Sequence, residues 1–288
     1  MKILDGIAGI ADGYDAFILD LWGVVHDGRA PYPGVLDALA NLRERGKKIV
    51  MLTNAPRRSW FIDSMLARMG VERHLYDETL SSGEVTWRVL RDRTHPFMAG
   101  LGDRAFHIGP ERDLSVIEDG VARLVPTPRE AEFLLNTGPD PERGPKSVEP
   151  YRPALAACLA AGLPMICVNP DRAVMVAGER LLCAGAFADV YREGGGRVLE
   201  IGKPDPEVYA PVLAALGNPP LHRVLAVGDT PHTDLAGAKA VGIDCLWAMT
   251  GLAGDSYGLD PDPELLDREA AHHGVTPVAA VRSFTWAG

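Results

Sequence analysis

The chain has no CxxC pair among its four cysteines, no apolar run of membrane-spanning length, and fewer basic than acidic residues. Each shortage excludes something. The scattered Cys158, Cys167, Cys183 and Cys245 have mostly apolar neighbours, which fits reduced, buried thiols rather than a zinc site or a disulfide frame. A membrane-crossing helix needs about 20 apolar residues and none is foreseen. The acids within MKILDGIAGIADGYDAF argue against a secretory leader, so a cytoplasmic protein is expected. With 29 Lys and Arg against 39 Asp and Glu, the net charge of −10 repels phosphate backbones and anionic bilayers, and no nucleic-acid or membrane partner is expected. An anionic substrate must then be held by a local device such as a metal ion, a helix N-terminus or a single lysine.

What is present is the composition of a globular protein, long enough at 288 residues for one large α/β domain or two ordinary ones. AFILDL reads as a buried strand, PGVLDALANLRERG as an amphipathic helix closed by Gly46, and KKIVMLTNA as a second buried strand. A helix follows over Arg57 to Met69. The pattern returns late, in RVLEIGKP, PDPEVYAPVLAALG, RVLAVGDT, HTDLAGAKAVG and IDCLWAM. Near-continuous apolar strands joined by helices predict an α/β fold with a doubly wound, mostly parallel sheet. Between the two ends lies a stretch with its own elements: AFHIG, VARLVPT, AEFLLNTG, the helix VEPYRPALAACLAAG and the strand PMICVNP. The expectation is a core built from residues 1–81 and 186–288, carrying an inserted α/β domain over 82–185. The tail from Gly251 is expected to fold back on the core.

Ligands of open parallel sheets bind beyond the carboxyl ends of the strands. Four places there stand out: Asp20 after AFIL, Thr53-Asn54 after KKIVML, Lys203 after VLEIG, and Asp229 with Asp234 in GDTPHTD after RVLAV. Singly, each has a plain explanation as a turn or helix-cap residue. Together they supply a nucleophilic carboxylate, a hydroxyl and amide for phosphate oxygens, an ammonium, and acids suited to a divalent cation. Those are the parts phosphoryl transfer requires.

In the order DLWGVVHDG, LTNAPR, GKPDPEVY and GDTPHTDLAGA, the chain resembles the haloacid dehalogenase superfamily, and within it the NagD-type members with an inserted C2 cap. The resemblance implies a Rossmann-like core under a cap domain and Mg²⁺-dependent hydrolysis of a small phosphorylated metabolite. It implies that Asp20 forms an aspartyl-phosphate, Thr53 binds phosphoryl oxygens beside Asn54, and Lys203 balances charge. Mg²⁺ would be held by Asp20, Asp229 and the Trp22 carbonyl, with Asp234 on the metal or its waters. Gly23 and Trp22 of the first motif, with Asn169 and Asp171 of the cap turn VNPD, would face the substrate. Arg172 is a further candidate for an anion contact. Homo-oligomerisation, substrate identity and the efficiency of turnover stay open.

One residue departs from the family pattern. D-x-D-G is D-L-W-G here, so Trp22 stands where the family has the acid that protonates the leaving oxygen and later activates water, a contribution of about 10²- to 10⁴-fold. Three outcomes follow. His26 or Asp27 could supply the proton, or the leaving group could be a good one, in a working phosphatase. The chain could instead be a low-turnover phosphate- and metal-binding regulatory module. It could also be a metal-independent dehalogenase, against which the retained Asp229 and Asp234 count.

Overall fold

The computed structural model describes residues 1–258 and 260–287. In chain order the strands are β1 (Ile3–Leu4), β2 (Ala16–Leu19), β3 (Lys48–Thr53), β4 (Glu78–Ser81), β5 (Arg104–Ile108), β6 (Arg123–Leu124), β7 (Phe133–Asn136), β8 (Met165–Cys167), β9 (Ala173–Val176), β10 (Glu179–Leu182), β11 (Val198–Glu200), β12 (Val224–Gly228), β13 (Asp244–Ala248) and β14 (Ala279–Val281). They form two parallel sheets and a hairpin. The first sheet has the order β1-β14-β13-β12-β2-β3-β4, the second β11-β8-β7-β5-β6, and β9 pairs antiparallel with β10.

Why the strands are apolar on both sides is visible in β2. Phe17 and Leu19 pack into one core, and Ala16 and Ile18 into another on the opposite face. Neighbouring β12 divides the same way, Leu225 and Val227 against Val224 and Ala226. Helices Val35–Glu44 and Ser59–Arg68 cover the first face; Tyr209–Ala215 and Pro263–His272 cover the second. The second sheet repeats the arrangement: Leu134 of β7 faces a core with Phe187 and Tyr191, while Phe133 and Leu135 face Leu90 and Val116. The α/β architecture with a doubly wound sheet agrees with the sequence. The tail returns too, β14 pairing with both β13 and β1.

Two expectations change. RVLE does not rejoin the first sheet: β11 pairs parallel with β8 as an edge strand of the second, Val198 opposite Met165. The helix Ala184–Glu193 before it also buries Phe187 and Tyr191 in the second sheet's core. We therefore propose that the inserted domain runs to about Glu200, not to 185. The β9–β10 hairpin was not foreseen. Its two turn residues, Ala177 and Gly178, both have positive φ, 52° and 83°, as a tight primed turn requires. An Asn-Gly pair would have announced that turn; Ala-Gly does not. Among the described residues, no helix is long and apolar enough to cross a membrane.

Candidate active site

From β2 the chain moves outward through β3 to β4, then later through β12 and β13 in the other direction. Strands β2 and β12 are adjacent, so their carboxyl ends lie at the point where the winding reverses and a crevice opens. Asp20 follows β2, Thr53 ends neighbouring β3, and Asp229 follows β12. After Asp229 the backbone winds one wide turn over Pro231–Leu235, with the Leu235 N–H donating to the Thr230 carbonyl at 3.3 Å. Such turns recur at functional sites. This one brings Asp234 back to the strand ends, where its carboxylate accepts from the Thr230 N–H at 3.1 Å.

Lys203 reaches the same point from the second sheet, three residues after β11. Its ammonium donates to Asp20 Oδ1 at 2.6 Å and to the Leu52 carbonyl at 2.9 Å, and it stands 2.6 Å from Asp234 Oδ1. Asn54 fixes the lysine's backbone: Oδ1 accepts from the Lys203 N–H at 2.8 Å and Nδ2 donates to the Lys203 carbonyl at 3.1 Å. The Asn54 side chain is thus committed to positioning Lys203. Thr53 is buried and lines the cleft, its hydroxyl accepting from the Ala55 N–H.

Asp229 accepts from the Thr230 hydroxyl at 2.9 Å on Oδ1 and from the Leu252 N–H at 2.7 Å on Oδ2. Two glycines make room for it. A Cβ on Gly23 would lie 2.2 Å from Asp229 Oδ2 and one on Gly251 2.1 Å from it, and both residues have positive φ. Burial pushes the Asp229 carboxyl up to about 7, with Asp234 adding to the effect. Burial likewise raises Asp20, against the pull of Lys203. For Lys203 burial acts downward, but Asp20, Asp234 and Asp171 outweigh it and keep the ammonium charged.

Asp20, Asp229 and Asp234 each offer a carboxylate oxygen, all within 4.8 Å of one another and all buried. Three carboxyl groups against one ammonium would carry an excess of negative charge when all are ionised, which a bound cation would offset. Hard oxygen donors in that number fit Mg²⁺ or Ca²⁺.

The second sheet aims its own carboxyl ends at the same cleft, of about 340 Å³. Thr137 follows β7, and Asn169 and Asp171 follow β8. Asn169 Oδ1 accepts from the Asp171 N–H at 3.0 Å, holding the turn, and Asp171 Oδ1 accepts from Asn54 Nδ2 at 3.0 Å. Burial raises the Asp171 carboxyl to about 6, with Lys203 opposing. Arg172 is not an anion contact: it is bonded to Asp189 at 2.6 and 3.0 Å and lies 3.2 Å from Glu200.

Trp22 and Gly23 also line the cleft. The indole packs edge to face with the His26 ring, centroids 4.8 Å apart at 70°. A Cβ on Gly28 would strike the same indole at 2.3 Å, and Val176 of the hairpin lies near that glycine. The hairpin tip is tied down where the Ala177 N–H donates to the Asp27 carbonyl at 3.1 Å.

Neither neighbour suggested as a proton source is placed for it. His26 is fully buried, its Nδ1 accepts from the Gly28 N–H at 3.0 Å, and burial lowers its pKa to about 4, so the ring is neutral. Its Nε2 has no hydrogen-bond partner among the described residues. Asp27 accepts from the Ala30 and Arg29 N–H groups, which lower its pKa and keep it ionised. Both support the loop under Trp22.

The sequence did not point to several residues here. Thr230 and Leu252 orient Asp229. Arg57 bonds Asp113 of the inserted segment at 2.7 Å, beside the cleft. Val174, Met175, Leu181 and Leu182 of the hairpin supply an apolar wall. Only the alternation in AVMVAGERLL around a glycine could have suggested the last group.

Comparison with known proteins places this geometry. Residues 17–120 match a family described as haloacid dehalogenase-like hydrolase, and residues 200–280 one described as HAD-hydrolase-like. A crystal structure of a haloacid dehalogenase-like hydrolase from Brucella suis superposes with a TM-score of 0.83 at 30% identity, covering 98% of this chain and all of that one. A 4-nitrophenylphosphatase of Schizosaccharomyces pombe is 27% identical over 272 residues, 87% of this chain and 89% of its own. A sugar-phosphatase of Bacillus subtilis is 25% identical over 239 residues, covering 82% and 83% respectively. The convergence of Asp20, Thr53, Lys203 and Asp229 at one sheet edge is thus accompanied by likeness along nearly the whole chain, which belongs to the haloacid dehalogenase-like hydrolase family.

Proposed function

We propose that the chain is a Mg²⁺-dependent phosphatase that hydrolyses a small phosphomonoester through an aspartyl-phosphate on Asp20. The observation that carries the reading is the Lys203 ammonium, 2.6 Å from both Asp20 and Asp234, beside an Asp229 carboxylate that shares a 4.8 Å cluster with them. The phosphatase names of two relatives support the same reaction class.

Asp20 Oδ forms a bond to phosphorus as the ester P–O bond breaks, and the leaving oxygen departs with the bonding pair. Thr53 orients the phosphoryl group and Lys203 balances charge spreading over its oxygens. Asp20, Asp229, Asp234 and the Trp22 carbonyl would hold Mg²⁺, which when bound neutralises charge on the phosphoryl oxygens. Water then adds to phosphorus, the bond to Asp20 breaks, and phosphate leaves. Residues of the inserted segment, Asn169 and Asp171 among them, close the far side and exclude bulk water.

A low-turnover binding module is the second reading, and Trp22 is what favours it. The dehalogenase reading is disfavoured, since the buried acidic cluster serves no step of carbon displacement. A phosphate-release screen over phosphorylated metabolites with Mg²⁺, beside Asp20→Asn, tests the proposal. Release that disappears in Asp20→Asn is expected; release that survives in it contradicts the nucleophile.

A further inference from the structure

The cleft holds an indole where the family pattern has its proton donor, and among the described residues no other side chain lining it is free to take over. Besides the groups already placed at the phosphate end, the titratable residues around it are Arg57, Arg112, Asp113, Asp171 and Cys183. Arg57 and Asp113 are bonded to each other at 2.7 Å. A guanidinium does not release a proton in proteins, which removes Arg112. Burial, with the Asp171 carboxylate beside it, pushes the Cys183 thiol well above its ordinary value, so it is a poor acid. Asp171 Oδ1 accepts from the Asn54 amide at 3.0 Å, which ties this carboxyl to the wall that positions Lys203. Trp22 itself offers only an indole N–H, a donor that does not titrate.

Part of the cleft's lining is apolar. Trp22, held from behind by His26, faces a cleft that also shows Val174, Val176, Leu181 and Leu182 of the hairpin. Against that part a flat ring fits better than a polyol, whose hydroxyls would find no partners on those side chains.

Resting on the phosphatase reading, we propose that the cleft takes phosphomonoesters whose leaving group is a stabilised anion, a phenolate or enolate, with its planar part against Trp22 and the hairpin. In the first step the P–O bond breaks as Asp20 bonds to phosphorus. The pair stays on the phenolic or enolic oxygen, which collects a proton from solvent after it has left. An alkoxide, the conjugate base of an alcohol nearly as weakly acidic as water, cannot leave this way at a comparable rate. Water completes the cycle by displacing phosphate from Asp20, its proton passing to the solvent.

The test is the dependence of kcat/KM on the leaving group, across substituted phenyl phosphates from nitrophenyl to methoxyphenyl and on to glycerol and sugar phosphates. The wild type is expected to fall steeply along the series. In Trp22→Asp the ratio of aryl to alkyl rates should shrink by about 10²- to 10⁴-fold, the contribution of a general acid. Trp22→Phe should keep the steep fall, so the proposal stays testable even where Trp22→Asp folds poorly. A flat wild-type profile overturns the inference while leaving the phosphatase reading intact, provided Asp20→Asn abolishes the activity. A shallow profile that steepens in Asp171→Asn also overturns it and makes Asp171 the acid. No turnover of any ester, with Asp20→Asn indistinguishable from wild type, refutes the phosphatase reading first and this inference with it.

Discussion

The two parallel sheets of this protein are built by the same rules and end differently. In both, apolar strands are covered on two faces and the carboxyl ends open into the shared cleft. The first sheet ends in Asp20, Thr53 and Asp229, the second in Thr137, Asn169 and Asp171, with Lys203 crossing from the second to the first. Even neutral polar groups are spent differently: buried Asn136, ending β7, donates to the Ala184 carbonyl at 2.9 Å and serves the fold. Parallel topology makes a crevice. The side chains placed at or just past a strand's carboxyl end decide whether that crevice does chemistry or shapes access.

That division can be broken most sharply by removing one residue from each edge. Asp20→Asn should lower phosphate release by about 10⁴-fold or more, because groups acting as a unit fail together. Thr137→Ala should change KM by less than about 10-fold and kcat hardly at all. Steady-state kinetics on one aryl phosphate compares them, and equal losses in kcat would erase the distinction between the edges.

Lys203 is the link between the edges, so its loss should be felt as stability. Lys203→Met leaves buried carboxylates without their ammonium, a loss of about 3–5 kcal/mol. Urea unfolding in chelator measures it; an unchanged midpoint would mean that the carboxylates do not depend on the lysine.

Each region also holds a neutral histidine, His26 fully buried and His107 partly so. His26 lies under Trp22, and His107 on β5 bonds the Thr137 hydroxyl at 2.8 Å; burial lowers each to about 4. The unfolded chain has the ordinary value near 6.5 and therefore binds more protons between the two values. Stability is then complete above about pH 6.5 and is lost as pH falls towards 4, by about 2–3 kcal/mol per ring. His26→Phe and His107→Phe should each flatten that slope in denaturation curves taken between pH 4 and 7. A slope untouched by either would show that these rings are solvated.

The smallest effect belongs to the hairpin. Ala177 holds φ at 52°, and Ala177→Asn should stabilise by up to about 1 kcal/mol by giving the turn its preferred pair. A thermal shift of a few degrees upward is expected, and a downward shift would place the cost elsewhere.

Much of the first sheet was legible because its strands are long apolar runs that stop at a polar residue: Asp20, Thr53 and Asp229 announce themselves. Lys203 was legible for the same reason, but its strand was assigned to the wrong sheet. A three-residue run such as Val198–Glu200 carries no sign of its partner, and only the pairing with Met165–Cys167 reveals it. Strands β1 and β14 are two and three residues long and pair across nearly the whole chain, so periodicity could not find them. The contact of Trp22 with His26, and the Asn54 amide that locks Lys203, depend on side-chain packing that residue spacing does not encode.

The central claim is that Asp20 carries the phosphoryl group between the two half-reactions. Acid quenching during turnover of an aryl phosphate with Mg²⁺, followed by peptide mass spectrometry, reads this directly. A covalent phosphate on the peptide containing Asp20, absent from Asp20→Asn, is predicted, and it should accumulate because no base hurries the water. Phosphate on a different residue, or turnover with no phosphopeptide at any quench time, would contradict it.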